Sequence, residues 1–365
     1  MPIYMDRHDL EAGVNAEHVA HIHQEDLKIE HEFGCKGLTY WFDDERKTAF
    51  CLINAPSKEA LMEMHNKAHG AIPNSIIEVD PGIVESFLGR IEDPEKGNNS
   101  DLNIVNDAAF RVLMVSEVVF RSLEHREQFV NGEYCQEFHL KIQHLVEKYH
   151  GRVVKDKLFS TLISFRSVSE ALGCAMLFQV AFKSLDVTSL EVRLKIGISA
   201  GMPVSQGESI FEETIEMAGR LCRAVKGQII LSSEVQHLYD SEPVRDTTHV
   251  GLLRSLAPAD EKFLNLFIDF LESSWNRSHL KVDDFSSVVG LSKSQLYRKI
   301  KFITGKSLNI FLKEYRLKKA LKLLDGKKGN ISEIAFDSGF NSPAYFSKCF
   351  YESYGMLPSK YMNLS

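Results

Sequence analysis

No stretch of these 365 residues is apolar for long enough to cross a bilayer, which takes ~20 consecutive apolar residues. The opening, Met1-Pro-Ile-Tyr-Met-Asp-Arg-His8, is too polar for a secretory signal. Cysteine is sparse. Cys35, Cys51, Cys135, Cys174, Cys222 and Cys349 are scattered, with no Cys-x-x-Cys spacing. That argues against a disulfide scaffold and predicts reduced, buried thiols in a cytoplasmic protein. Solenoid-scale repeats and low-complexity tracts are missing too. The remaining composition, 44% hydrophobic and 25% charged, is that of an ordinary globular chain. At ~100–200 residues per domain it predicts two to three domains.

Charge is unevenly spread. Residues 260–365 carry 17 Lys and Arg against 11 Asp and Glu, while residues 1–259 carry 26 against 39. Within 290–330 there are 12 basic residues and only Glu314 and Asp325 against them. Such a split suggests a basic module that meets a polyanion, although a solvated lysine-rich helix face would have the same composition.

The segment Arg90 to Asp101, rich in Pro, Gly and Asn, reads as a linker. A second break lies around Asp240 to Asp260. Three modules are expected, at 1–88, 108–245 and 258–365.

The last module is the most informative. Apolar residues recur at helical spacing from Phe263 through Leu271. Gly290 suits a left-handed helix stop, and Ser292 with Gln295 suits a capping box for the next helix. Two helices joined by such a turn form a helix-turn-helix, whose second helix enters the major groove. Leu296, Ile300 and Ile303 make its buried stripe. Lys293, Ser294, Gln295, Arg298 and Lys299 fall on or beside the outer face. Gln can pair with adenine, Arg with guanine and Lys with phosphate. The pattern recurs: a helix from Ile331 stops at Gly339, and a second begins at Pro343. There Ser342, Tyr345 and Lys348 are the residues expected toward DNA. A basic helix over Ile310 to Leu324 joins the two units.

These residues resemble the DNA-binding domain of AraC-type transcriptional regulators. The resemblance rests on Ser294-Gln-Leu-Tyr-Arg-Lys-Ile300, Tyr315-Arg-Leu-Lys-Lys-Ala320, Ile334-Ala-Phe-Asp-Ser-Gly-Phe340, Tyr345-Phe-Ser-Lys-Cys-Phe350 and the closing Gly355-Met-Leu-Pro-Ser-Lys-Tyr361. It implies two helix-turn-helix units reading adjacent major grooves of double-stranded DNA.

The first module reads β-α-β-β-α-β, the order of a ferredoxin-like fold. It holds seven of the fourteen histidines. His65 and His69, four apart on one helix, project from the same face, and Asp6 and His8 share one side of the first strand. Imidazole is a common ligand for Ni, Zn, Cu and Fe, though such a pair also suits two surface histidines. Met1-Pro-Ile-Tyr-Met-Asp-Arg-His-Asp9, Leu38-Thr-Tyr-Trp-Phe-Asp43, Asn54-Ala-Pro56 and Ala68-His-Gly70 resemble a family of ferredoxin-like nickel-binding proteins. That resemblance implies a dimer-forming, metal-binding fold, with His8, His23, His65 and His69 as ligands and Asp6 as a further candidate. The metal would be nickel or another divalent transition metal. His18, His21 and His31 are left as surface residues.

The middle module alternates strand and helix. Arg193-Leu-Lys-Ile-Gly-Ile-Ser-Ala-Gly-Met-Pro203, Met217-Ala-Gly-Arg-Leu-Cys222 and Gly227-Gln-Ile-Ile-Leu-Ser-Ser-Glu234 resemble class III nucleotidyl cyclases. Phosphoryl chemistry of that kind needs two carboxylates to hold metal ions. Their positions fall at Glu117 and at Phe159, and a phenylalanine cannot ligate a metal. A degenerate, non-enzymatic copy that dimerises or senses is expected.

The fold class expected is therefore multidomain: an α+β ferredoxin-like module, an α/β cyclase-like module and an all-α double helix-turn-helix. The function expected is a DNA-binding transcriptional regulator, controlled by a metal or small ligand. A homodimer and RNA polymerase are the implied protein partners, with no membrane. The alternative is a nucleotidyl cyclase fused to a DNA-binding domain.

Overall fold

The computed structural model describes residues 1–94, 102–132, 134–185, 191–242 and 250–364. Residues 95–101 of the expected linker and 243–249 of the second expected break lie outside these. By its internal contacts the chain forms two compact units. One comprises Met1–Val115, Val146–Leu172 and Ser199–Ala218, the other Ser116–Leu145, Gly173–Ile198 and Gly219–Ser365.

The first unit begins with strand β1 (Ile3–Asp9) and helix α1 (Ala16–Ile29), which runs into a 3-10 turn at Glu30–Phe33. A hairpin of β2 (Lys36–Asp43) and β3 (Thr48–Asn54) follows, then α2 (Lys58–Ala68), β4 (Ser75–Val79) and α3 (Pro81–Leu88). The sheet order is β2-β3-β1-β4, and β1 runs antiparallel to both neighbours, as a ferredoxin-like fold requires. Period-two alternation divides the side chains between the two faces. Met5, Trp41, Phe50, Leu52 and Ile77 pack on one face with Val84 and Phe87 of α3. Tyr4, Tyr40, Phe42, Ala49 and Ile53 pack on the other with Val19, Ala20, Leu61 and Met64 of α1 and α2. Asp6 and His8 sit on this second face, beside the buried His23, Asp26 and His65 of α1 and α2.

The start of the expected linker is anchored to this sheet. Arg90 lies 4.4 Å over the Trp41 ring, and the Asp93 N–H donates to Leu38 O at 3.1 Å. A cation on an indole face and a backbone bond hold residues that composition assigns to a loop.

The middle of the chain contributes β5 (Arg111–Phe120), α4 (Leu123–Asn131), α5 (Tyr134–Lys148), β6 (Arg152–Lys157), β7 (Ser160–Phe165) and α6 (Val168–Lys183). Then come β8 (Val192–Gly201), α7 (Glu212–Ala224), β9 (Ile229–Leu231), α8 (Ser233–Ser241) and β10 (Leu253–Ser255). They make one mixed sheet of order β10-β9-β8-β5-β7-β6. β9 runs parallel to both β8 and β10, while β6 and β7 form an antiparallel hairpin.

The C-terminal part is all helix: α9 (Pro258–Ser274), α10 (Val282–Val289), α11 (Lys293–Thr304), α12 (Leu308–Asp325), α13 (Ile331–Asp337), α14 (Pro343–Tyr354) and α15 (Pro358–Leu364). Leu317, Ala320 and Leu324 of α12 share a core with Ile334, Phe346 and Phe350. Arg316 donates to Trp275 O at 2.8 Å and Arg277 O at 2.6 Å, so this residue of the basic helix ties α12 to the end of α9.

Candidate metal centre and nucleic-acid interface

The helical face of α1 that meets the core carries Val19, Ala20, His23 and Asp26. Opposite it, α2 presents Leu61, Met64 and His65. Burial of Asp26 and His65 in an apolar core costs heavily unless each finds a partner. They find each other and His69. His65 Nδ1 lies 3.0 Å from Asp26 Oδ1 and 3.1 Å from His69 Nε2, and His69 Nε2 lies 3.1 Å from Asp26 Oδ1. Three donor atoms thus form a nearly equilateral triangle. Neighbouring ligands of an octahedral ion with bonds of ~2.1 Å stand ~3.0 Å apart. Two imidazoles and one carboxylate at this spacing match one face of such an octahedron, and this donor set suits a divalent transition metal.

On the far side of the ring, His65 Nε2 meets Asp6 Oδ2 at 2.8 Å. A carboxylate behind a ligating imidazole fixes its orientation and raises its basicity. The other Asp6 oxygen accepts the Cys51 N–H at 2.9 Å and lies 3.5 Å from His8 Nε2. Asp6 is fully buried. Burial alone would raise its carboxyl, but His8 and His65 outweigh it and hold the group well below the usual range. Burial likewise works against a charged His65, yet Asp26 and Asp6 push its pKa up to about 10. Without metal, His65 is therefore an imidazolium held between two carboxylates. His69 Nδ1 accepts the Ala71 N–H at 3.1 Å, so its Nε2 carries the ring proton. Seating a metal on Nε2 would move that proton or release it.

The structure brings together four of the five residues singled out as metal ligands: Asp6, His8, His65 and His69. It places His23 apart, 3.3 Å from Asp93 Oδ2 and against the Tyr40 ring. Asp26 was not among the expected ligands. Its signal lay in the helical period that puts it one turn beyond His23. His18, His21 and His31 are exposed.

In the C-terminal helices, Gly290 adopts φ +65°, a left-handed stop that a side chain would oppose. Ser292 then caps α11, and Gln295 closes the capping box, its Oε1 accepting the Ser292 N–H at 2.9 Å. Leu296, Ile300 and Ile303 are fully buried. Lys293, Ser294, Gln295 and Arg298 are exposed. The Gln295 amide oxygen serves the cap, which leaves its NH2 for a base acceptor. Lys293 lies 2.8 Å from Asp283. Lys299 differs from its neighbours, being half-buried and ion-paired with Asp260 of α9. The second unit repeats the design. Gly339 has φ +76°, Ser342 accepts the Tyr345 N–H at 3.3 Å, and Pro343 opens α14. Tyr345 is 55% exposed and Lys348 is exposed.

Sequence reasoning missed the residue that fixes the end of α11. Arg254 of β10 donates to Phe302 O at 2.9 Å and Ile303 O at 3.2 Å, and the Lys226 N–H donates to Ile303 O at 2.9 Å. Orphan carbonyls at a helix C-terminus favour such a cation. A lone arginine near an expected break carries no pattern that points to this role.

Both regions match known families. Residues 285–363 match the family described as Helix-turn-helix domain, and residues 4–79 match the family described as Nickel responsive protein SCO4226-like. The probable transcription factor PqrA of Proteus vulgaris is 31% identical over 102 residues, 28% of this chain and 84% of PqrA. The crystal structure of SCO4226 from Streptomyces coelicolor A3(2) is 31% identical, covering 21% of this chain and 94% of that one, at a TM-score of 0.20. An adenylate/guanylate cyclase/hydrolase structure from Silicibacter pomeroyi is 21% identical, over 38% of this chain and 85% of that one, at a TM-score of 0.32. The chain spans 8%, 30% and 48% of the lengths of three further curated relatives. The N-terminal residues are similar to the SCO4226-like family, and through its C-terminal residues the chain belongs to the AraC-type helix-turn-helix family.

Proposed function

We propose that this protein is a transcriptional regulator that binds specific double-stranded DNA and responds to a divalent transition metal. One observation carries the DNA reading. Two helix-turn-helix units repeat the same stop, cap and buried stripe, and each leaves polar side chains exposed on its second helix. Lys293, Ser294, Gln295 and Arg298 of α11, with Ser342, Tyr345 and Lys348 of α14, face the duplex. Lys299 holds α9 and contributes less to DNA. The metal sits on the His65, His69 and Asp26 triangle, oriented by Asp6. His8 supports Asp6.

Functional modules at 1–88, 108–245 and 258–365 divide the work into metal sensing, dimerisation and DNA reading. The protein acts in the cytoplasm as a homodimer that engages RNA polymerase at its promoters. The middle module is cyclase-like without being an enzyme, because Phe159 replaces a metal carboxylate and Glu117 is 2.7 Å from Lys318. Metal seated at the first module changes how two DNA readers are held on paired half-sites.

Selection of sites from random duplexes, with and without Ni²⁺ at fixed salt, tests this. Salt is fixed because phosphate contacts make affinity strongly salt-dependent. A recovered sequence whose affinity shifts about tenfold with metal, a coupling of about 1.4 kcal/mol, supports the whole reading. A recovered sequence indifferent to metal removes the sensor role and retains the regulator. No sequence preference at all removes the regulator.

A further inference from the structure

The first unit holds a second group of metal-ligating atoms beside the triangle. Asp6 and His8 sit two residues apart on β1, so both face the helices. Cys51 of β3 faces them across the antiparallel register, in which Met5 pairs with Leu52 and His8 with Ala49. The ligand atoms of Asp6, His8 and Cys51 all lie within 4.8 Å of one another, and all three residues are buried. Among the described residues, Cys51 is the one cysteine that joins such a group. Cys35 and Cys222 spend their thiols on the backbone carbonyls of Phe33 and Lys195.

We propose that Cys51, His8 and Asp6 form a second, sulfur-bearing metal position. It adjoins the triangle through the Asp6–His65 hydrogen bond, and the proposal rests on the metal reading of that triangle. Asp6 divides its oxygens between the two: Oδ2 orients His65, and Oδ1 faces Cys51 and His8. The T-shaped His8 and His65 rings stand 5.1 Å apart, centroid to centroid. A thiolate, an imidazole and a carboxylate make a borderline-soft donor set, fit for Ni²⁺, Co²⁺, Zn²⁺ or copper in preference to Mg²⁺ or Ca²⁺. On binding, the thiol releases its proton to solvent and the sulfur takes the metal bond. A cysteine that packing alone would explain thereby becomes a ligand, and the sensor gains a site that discriminates by softness.

The test uses the full chain titrated with Co²⁺, whose spectrum separates the two donor types. Visible d–d bands report any bound cobalt, and a near-ultraviolet charge-transfer band reports a thiolate bond. The expected result is both signals in the wild type and in a Cys35→Ser control, with the charge-transfer band lost in Cys51→Ser. The wild-type charge-transfer band needs no variant to fold. Visible bands without a charge-transfer band, or a charge-transfer band that survives in Cys51→Ser, would overturn the second position and leave the triangle standing. No cobalt signal of either kind would overturn the metal reading itself.

Discussion

Asp6 Oδ2 and His65 Nε2 meet at 2.8 Å inside an apolar core, with Asp26 on the opposite ring nitrogen at 3.0 Å. The pair sets a definite pH dependence for the metal-free chain. His65 is raised to about 10 in the fold, so its contribution is fully present below the unfolded value of ~6.5 and fades as pH rises through 10. Asp6 and Asp26 are lowered, so theirs is present above the unfolded value of ~3.9 and fades as pH falls. With chelator present, thermal unfolding should show greatest stability between these limits, with losses on both sides. Nickel competes with the His65 proton, so its affinity should rise with pH from 6 to 8. Isothermal titrations at several pH values check this, and an affinity that falls with pH contradicts the assignment.

Asp6 acts on the triangle through His65. Asp6→Asn keeps the shape but weakens the hold on the ring. Nickel affinity should drop by about 10–100-fold, the usual cost of losing an outer-shell carboxylate. His69→Ala, which removes a corner, should cost more. Equal affinity in Asp6→Asn and wild type would show that the ring needs no such support.

Arg298 and Lys348 are expected to differ in kind. Arg298→Ala on α11 should cost about 1–3 kcal/mol and relax preference at one base position. Lys348→Ala should weaken binding evenly across sequences and lower the salt slope by about one. Lys299→Ala should change DNA affinity little, because the ion pair with Asp260 already occupies it. Binding titrations across salt and operator variants separate the three.

Ser292 closes the turn between α10 and α11. Ser292→Ala removes the side-chain acceptor at that cap and should destabilise the protein by about 1 kcal/mol. Ser292→Asn should restore most of it. Denaturant unfolding measures both, and an unchanged midpoint for the alanine variant would remove the cap from the stability account.

Glu117 holds Lys318 of α12 at 2.7 Å. Since the lysine side chain is more than half exposed, the pair stabilises by no more than about 1 kcal/mol. Incubation with ATP or GTP and Mn²⁺ should yield no cyclic nucleotide. Detectable turnover that vanishes in Glu117→Gln would reinstate the cyclase reading.

The elements followed from local chemistry. Helix α2 begins where Ser57 caps it, and β4 follows the short apolar run of Ile76 and Ile77. The helix-turn-helix turns were equally legible, since Gly290, Ser292 and Pro343 act within a few residues of themselves. Helical spacing continues from Ala16 to Phe33, yet α1 ends at Ile29 and passes into a 3-10 turn. The low amphipathicity of Leu123–Asn131 hides α4 from periodicity.

The sequence by itself determined most of the elements, the family, and the residue types able to bind metal or DNA. Spacing along a strand or helix settles which side chains share a face, and that is a local property. The tertiary structure alone decided the company each one keeps. Asp26 joins His65 and His69 because α1 and α2 pack on one sheet face, while His23, a single turn away, turns to Asp93. Lys299 is drawn toward Asp260 of α9, and Arg254 reaches the end of α11 from a distant strand. Such pairings answer the cost of burying charge and unsatisfied backbone groups, and that cost arises only once packing excludes water.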